Sequence, residues 1–224
     1  MGRRPQRADR HVHSIGLALS YLGIFLIAAR ELDTVPQVAE RLISLSERAS
    51  LTVLGCSGRL YLAAARRPRT TATIAAMREA ADAWWATGTV AYRPFVEAVV
   101  AEAHADVGDI DRGLAAIADA LAHLEESNER WIEPEVHRVH GILLAAVPSR
   151  AADAESCLCR AAEVARAQQA RMWEVRATVA WARLVAVRDR VEARRRLEIV
   201  LRQFPVDVAT PDLVEARSLS ALLD

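Results

Sequence analysis

Histidine, glutamate and cysteine side chains group in the second half of this 224-residue chain, and they are the first candidates for chemistry. His137 and His140 are three residues apart and Glu133 lies one helical turn earlier, so a helix would place them toward one side. Three donors on one helix without an obvious fourth are a weak metal signal, and His140 occupies a position that favours core packing. Cys157 and Cys159 point in different directions on a helix and cannot hold one ion together. We therefore predict no metal site and no cofactor.

The sequence motifs of common enzymes are missing. There is no GxxxxGK[ST] phosphate-binding loop and no GxSxG nucleophile elbow. No strand pattern is present that would hold a pair of metal-binding aspartates. We therefore expect a protein that is not an enzyme and has no catalytic residues.

Composition and charge further limit the possible partners, cellular location and fold of the protein. The 29 basic and 29 acidic residues balance, so no overall basic field would draw the protein to nucleic acid. Three cysteines are an odd number and do not form a disulfide framework, which favours a reducing, cytoplasmic location. An apolar content of 52% with only 5% aromatic residues is typical of packed helices.

Apolar residues recur at helical spacing along almost the whole chain, which predicts an all-α protein of about 10–11 helices. A small–large–small triplet marks the second helix of each pair. Its first members are separated by 40, 41 and 39 residues. The pattern predicts helical pairs stacked as a right-handed solenoid. The triplets are Thr73/Met77/Ala80, Gly113/Ile117/Ala120, Ala154/Leu158/Ala161 and Ala193/Leu197/Val200.

The best-defined pair covers residues 131–168, with its two helices joined at 147–150. Gly141 and Ala154 lie where these helices would cross, so we expect their backbones to approach closely. Trp131 and Trp173 stand at helix starts, where they can wedge between repeats, whereas Trp181 lies on a core stripe.

The series Gly141, Ala154, Leu158 and Ala161 resembles the tetratricopeptide (TPR) pattern. Residues 131–145, 154–168, 173–184 and 210–224 more narrowly resemble the TPR-like C-terminal region of bacterial ATPase-containing regulators. Those regulators are adenylate/guanylate cyclase-related or of the LuxR type. The resemblance spans most of the chain and is weakest before residue 70. It implies a regulatory or protein-interaction module without its ATPase and DNA-binding parts, either as a stand-alone short paralogue or as a fragment.

A TPR-like array presents a concave groove lined by the first helix of each pair. In the register above, Glu102, Glu135 and Arg138 project toward that groove and Arg176 joins them. A mixed acidic and basic lining suits a helical or extended peptide bound through charge pairs. We predict these four residues as the partner-binding site, with a protein or peptide as partner and no direct binding of nucleic acid. Sensing of a small molecule is the alternative.

The N-terminal region has two interpretations. Residues 1–13 are Arg-rich and without periodicity, which predicts a flexible tail ahead of a repeat domain over 14–224. Residues 14–29 form an uncharged, mostly apolar run of 16 residues, whereas a membrane span needs about 20. We favour a buried first helix and no membrane, with a membrane anchor or signal segment as the alternative.

Overall fold

The structure is a computed structural model that describes residues 6–224, with side chains described from His11 onward. Within this part of the chain there are eleven α-helices, two short 3-10 helices and no strand, which confirms the predicted all-α class. The 3-10 helices are Arg130–Ile132 and Pro148–Arg150. The α-helices are α1 Gln6–Ala28, α2 Val35–Ala49, α3 Thr52–Ala65, α4 Thr71–Trp85, α5 Arg93–Asp106, α6 Ile110–Ser127, α7 Glu133–Ala145, α8 Ala151–Ala167, α9 Arg171–Val185, α10 Arg190–Leu201 and α11 Pro211–Leu222.

The first helix is longer than the sequence pattern predicts. It begins at Gln6, so residues 6–13 of the expected flexible tail are helical, and only residues 1–5 of that tail lie outside the described part. Residues 6–13 contain no Gly or Pro, so nothing in their backbone chemistry interrupts the helix that follows. Because residues 6–13 lack an apolar stripe, the sequence pattern predicts the start of α1 too late, at residue 14.

The chain divides into two compact units, Met1–Ala91 and Tyr92–Asp224. In the first unit α1 packs against α2 and α3, and α3 packs against α4. A side chain at Gly23 would collide with the Tyr61 ring, so only glycine permits this approach of α1 to α3. The Ser20 hydroxyl lies 3.2 Å from the Tyr61 hydroxyl, and burial raises the pKa of Tyr61 to about 12.

In the second unit each helix packs against the next, from α5 to α11. Alternate helices of this unit, α5, α7, α9 and α11, which the sequence pattern predicts as first helices of successive pairs, also contact one another in order. We call these four helices the first-helix layer. The second helices α6, α8 and α10 pack mainly against the first helices on either side of them.

The crossing of α7 and α8 follows the predicted packing. A Cβ at Gly141 would lie 2.6 Å from Leu158 Cγ and 3.0 Å from the Ala154 carbonyl oxygen, so the backbones meet at glycine. The large and the second small members of all four triplets are buried, as the repeat pattern predicts. Thr73 differs from the other first members: it closes a reciprocal capping box with Thr70 at the start of α4.

Candidate interaction site in the first-helix layer

Along the middle of α5, α7 and α9 the first-helix layer has no highly exposed residue. Every residue from 93 to 105 in α5, from 133 to 144 in α7 and from 172 to 182 in α9 is buried or half-buried. These helices also carry charged residues, and a charge removed from water must be paired to avoid a large desolvation cost. The charged side chains predicted as groove residues therefore need partners within the fold.

The pairing begins between α5 and α7. Arg138, only 2% exposed, donates from Nη2 to Glu102 Oε1 on α5 at 2.5 Å. The same guanidinium donates from Nε and Nη2 to the two carboxylate oxygens of Glu135, at 2.8 and 3.0 Å. Because Glu135 lies one turn before Arg138 on α7, the helix itself sets this second contact.

The pairing continues to α9 and α11. Arg176 Nη1 donates to Glu135 Oε1 at 2.6 Å, so one carboxylate serves guanidiniums from two helices. On its other side Arg176 makes a bidentate pair with Asp212, Nε to Oδ1 at 2.9 Å and Nη2 to Oδ2 at 2.6 Å. Glu102, Arg138, Glu135, Arg176 and Asp212 thus form a row of alternating charge across four helices, which we call the charge ladder.

Local electrostatics keep the centre of the ladder ionised. Burial disfavours the charged form of Glu135, but the adjacent Arg138 and Arg176 outweigh it and hold the pKa of that carboxyl well below its usual range. Burial likewise opposes the charge of both guanidiniums. The neighbouring carboxylates, Glu135 first among them, nevertheless raise the pKa of Arg138 and of Arg176. Glu135, Arg138 and Arg176 are therefore charged at neutral pH.

The structure brings the four predicted groove residues together in one network of ion pairs. The prediction was an open groove lined by both acidic and basic side chains. Arg138 and Arg176 are 2% and 4% exposed, whereas the Glu102 side chain keeps 31% of its surface and Glu135 keeps 13%. The part of the ladder that solvent reaches is therefore mainly carboxylate. Asp212 was not predicted as a member, although its 36-residue distance from Arg176 repeats the distance from Glu102 to Arg138.

Aromatic side chains pack together at the start of the same helices. The Trp131 ring lies 5.7 Å from Phe95 and 5.9 Å from Trp173, measured between centroids, and Tyr92 meets its edge at 6.4 Å. Trp131 therefore lies between aromatic rings of α5 and α9. Since Tyr92, Trp131 and Trp173 are half-buried, the row keeps some exposed aromatic surface at the starts of the helices that carry the ladder.

The histidine and cysteine candidates are dispersed. His137 Nε2 lies 3.7 Å from Glu133 Oε1, while half-buried His140 lies 3.5 Å from Cys157 Sγ. Burial lowers the pKa of both histidines, and for His140 the charge of His137 adds to the effect. Cys159 faces away from Cys157, toward Arg196 on α10. Among the described residues no three His, Cys, Asp or Glu side chains are grouped to hold a metal.

A cavity of about 400 Å³ lies between α8, α9 and α10. Its wall includes Trp181, which is 3% exposed, in agreement with the predicted core position. The Arg196 guanidinium stacks 3.9 Å above the Trp181 ring, and the indole Nε1 has no hydrogen-bond partner in the described part of the chain. An acidic residue, Glu163, and a hydroxyl, Thr178, also reach this wall.

Comparison with known proteins gives no relative: no family model, no curated protein and no solved structure matches the chain. The resemblance to the TPR-like region of ATPase regulators stays a prediction from the sequence.

Proposed function

We propose that the chain is a non-enzymatic, TPR-like interaction module whose second unit is a right-handed stack of helical pairs. The contacts of α5, α7, α9 and α11 in sequence order support this arrangement, because first helices of successive repeats pack in that way in such arrays. In this proposal the module acts as a regulatory scaffold, as the resemblance to the bacterial regulators implies. Its three cysteines are free thiols, which suits a cytoplasmic location.

The observation that carries the proposal is the uneven exposure of the charge ladder. Its guanidiniums are buried, while the carboxylates of Glu102 and Glu135 keep part of their surface, and the half-buried aromatic row of Tyr92, Trp131 and Trp173 lies at the starts of the same helices. A surface that combines carboxylates with aromatic rings favours a basic partner segment, since both attract Lys and Arg side chains. We therefore refine the predicted partner to a protein segment with basic residues.

The test compares two variants that each remove one negative charge. Glu102→Gln changes the surface carboxylate of the ladder, and Asp119→Asn changes an exposed carboxylate on α6 as a matched control. Each tagged protein is used to capture partners from host lysate, and binding of the recovered protein is then measured directly. We expect Glu102→Gln to weaken binding roughly tenfold and Asp119→Asn to leave it unchanged. A folded Glu102→Gln protein that binds as well as wild type would exclude this surface.

A second candidate function is binding of a small molecule in the cavity beside Trp181. The guanidiniums of Arg195 and Arg196 on the cavity wall favour a ligand with an anionic group. A thermal-shift screen with planar aromatic carboxylates tests this function. A hit that stabilises wild type but not Arg195→Gln supports it, and a screen without hits rejects it.

A further inference from the structure

Helix α1 carries an apolar face that the fold leaves exposed. Leu17, Tyr21, Leu22 and Phe25 are exposed to 38%, 56%, 42% and 66% of their surfaces. They follow one another at the spacing of neighbours on one side of a helix. Single exposed apolar residues are ordinary, but a continuous helical stripe of them marks a surface that contacts something other than water.

The opposite face of α1 belongs to the core of the first unit. Leu19, Ile24 and Ile27 are buried there, and the Ser20 hydroxyl lies 3.4 Å from Ser57 Oγ on α3. By length and hydropathy the segment His11–Ala28 would suffice to cross a membrane, yet 33% of it is buried in the fold. Crossing would strip these core contacts away, so the geometry favours an α1 that stays packed and uses only its outer face.

The size of this face argues against a second copy of the chain as its main occupant. The four side chains expose roughly 400 Å² together, taking about 200 Å² for each full residue surface. A stable protein interface buries about 800 Å² on each partner, twice as much. A helix that lies in a membrane interface needs no such closed interface, because its binding grows with the apolar area it buries and with its attraction to anionic lipids.

The net charge of the N-terminal residues indicates which kind of surface the exposed face of α1 contacts. Residues 1–30 contain five Arg and one Asp, a net charge of +4, while the whole chain sums to zero. Four of these Arg, at positions 3, 4, 7 and 10, directly precede the uncharged stretch. Clustered basic residues next to an exposed apolar helix face attract anionic phospholipid headgroups.

We propose that α1 docks in the plane of an anionic membrane surface. Leu17, Leu22 and Phe25 enter the boundary between headgroups and acyl chains, and Tyr21 lies at headgroup level, where its ring and hydroxyl both find suitable surroundings. The buried face of α1 keeps its contacts with α2 and α3. This docking is independent of the partner surface in the second unit.

The test is co-sedimentation of the full chain with vesicles of phosphatidylcholine alone and of phosphatidylcholine mixed with phosphatidylglycerol. We expect binding to the mixed vesicles and release by high salt, because screening weakens the attraction of the arginines. Leu22→Glu/Phe25→Glu is expected to lower the affinity at least tenfold. Val187→Glu/Val206→Glu, at positions 92% and 90% exposed in the second unit, is expected to change nothing.

A second variant separates loss of docking from loss of folding. Replacing Arg3, Arg4 and Arg7 by Gln alters no apolar side chain, and it should weaken binding to the mixed vesicles by about tenfold while the circular dichroism spectrum stays the same. Equal binding to both kinds of vesicle, or no binding to either, overturns the proposal. So does binding that resists high salt, which would indicate an inserted helix. A dimer abolished by Leu22→Glu/Phe25→Glu would show that a second copy occupies the face.

Discussion

The charge ladder predicts that loss of its central carboxylate, Glu135, destabilises the protein much more than loss of its end carboxylate, Glu102. Glu135→Gln removes a carboxylate that accepts bonds of 2.8 and 3.0 Å from Arg138 and 2.6 Å from Arg176. The amide nitrogen of Gln would face a guanidinium donor, and two buried cations would lose the anion between them. Removing one partner of a buried ion pair costs about 3–5 kcal/mol, a large part of the usual 5–15 kcal/mol of domain stability.

The end of the ladder provides the comparison. Glu102→Gln alters a side chain that is 31% exposed, and Arg138 keeps its bonds to Glu135, so we expect a loss of about 1 kcal/mol. Urea unfolding followed by far-UV circular dichroism measures both losses, and hydrogen exchange of α7 and α9 assigns them to the second unit. Equal losses for the two variants, or a loss below about 1 kcal/mol for Glu135→Gln, would refute the reasoning.

The charge ladder also predicts the pH range in which Glu135 stabilises the protein. Because the folded pKa of Glu135 is held well below the ordinary 4.5, its contribution is present above about pH 4.5 and is lost as pH falls toward the folded pKa. The stability difference between wild type and Glu135→Gln should therefore be constant from neutral pH to about pH 5 and shrink in stronger acid.

Three further predictions concern packing, capping and histidine. Gly141→Ala gains up to about 1 kcal/mol of helix propensity but places a Cβ 2.6 Å from buried Leu158, so we expect a net loss of about 1–2 kcal/mol by urea unfolding. Thr70→Ala removes the bond that the Thr70 hydroxyl accepts from the Thr73 N–H and should cost about 1 kcal/mol, seen as faster hydrogen exchange at the start of α4. Burial lowers the folded pKa of His137 and His140, so stability is complete above about pH 6.5 and declines as pH falls through that value. Replacing both histidines by Gln should flatten this decline in a pH series of thermal unfolding.

Helix positions were predictable because the local chemistry that sets them lies in adjacent residues. The predicted joint at 147–150 contains the 3-10 helix Pro148–Arg150. The position of Gly141 at a helix crossing was also predictable, because the repeat period places a small residue there. These features depend on periodicity and on Pro or Gly signals, which a single sequence carries.

The role of the charged residues was harder to predict. Charged side chains are mostly exposed, so Arg138 and Arg176 were assigned to an open groove, and only the packing of α5, α7 and α9 shows that they are enclosed. Asp212 lies in the short last helix, far along the chain from its partners, and its pairing depends on the contact between α9 and α11. Side-chain pairs across several helices require tertiary geometry that periodicity does not contain.

The alternating order of the ladder has a consequence for how the proposed array of helical pairs could be shortened. Deleting α7 and α8 would place Glu102 of α5 next to Arg176 of α9, so an anion would again meet a cation. Deleting α9 and α10 would instead place Glu135 next to Asp212, and two enclosed carboxylates would repel each other. The helical pairs are therefore not interchangeable building blocks: loss of one pair is compatible with the remaining charges, whereas loss of the next pair is not.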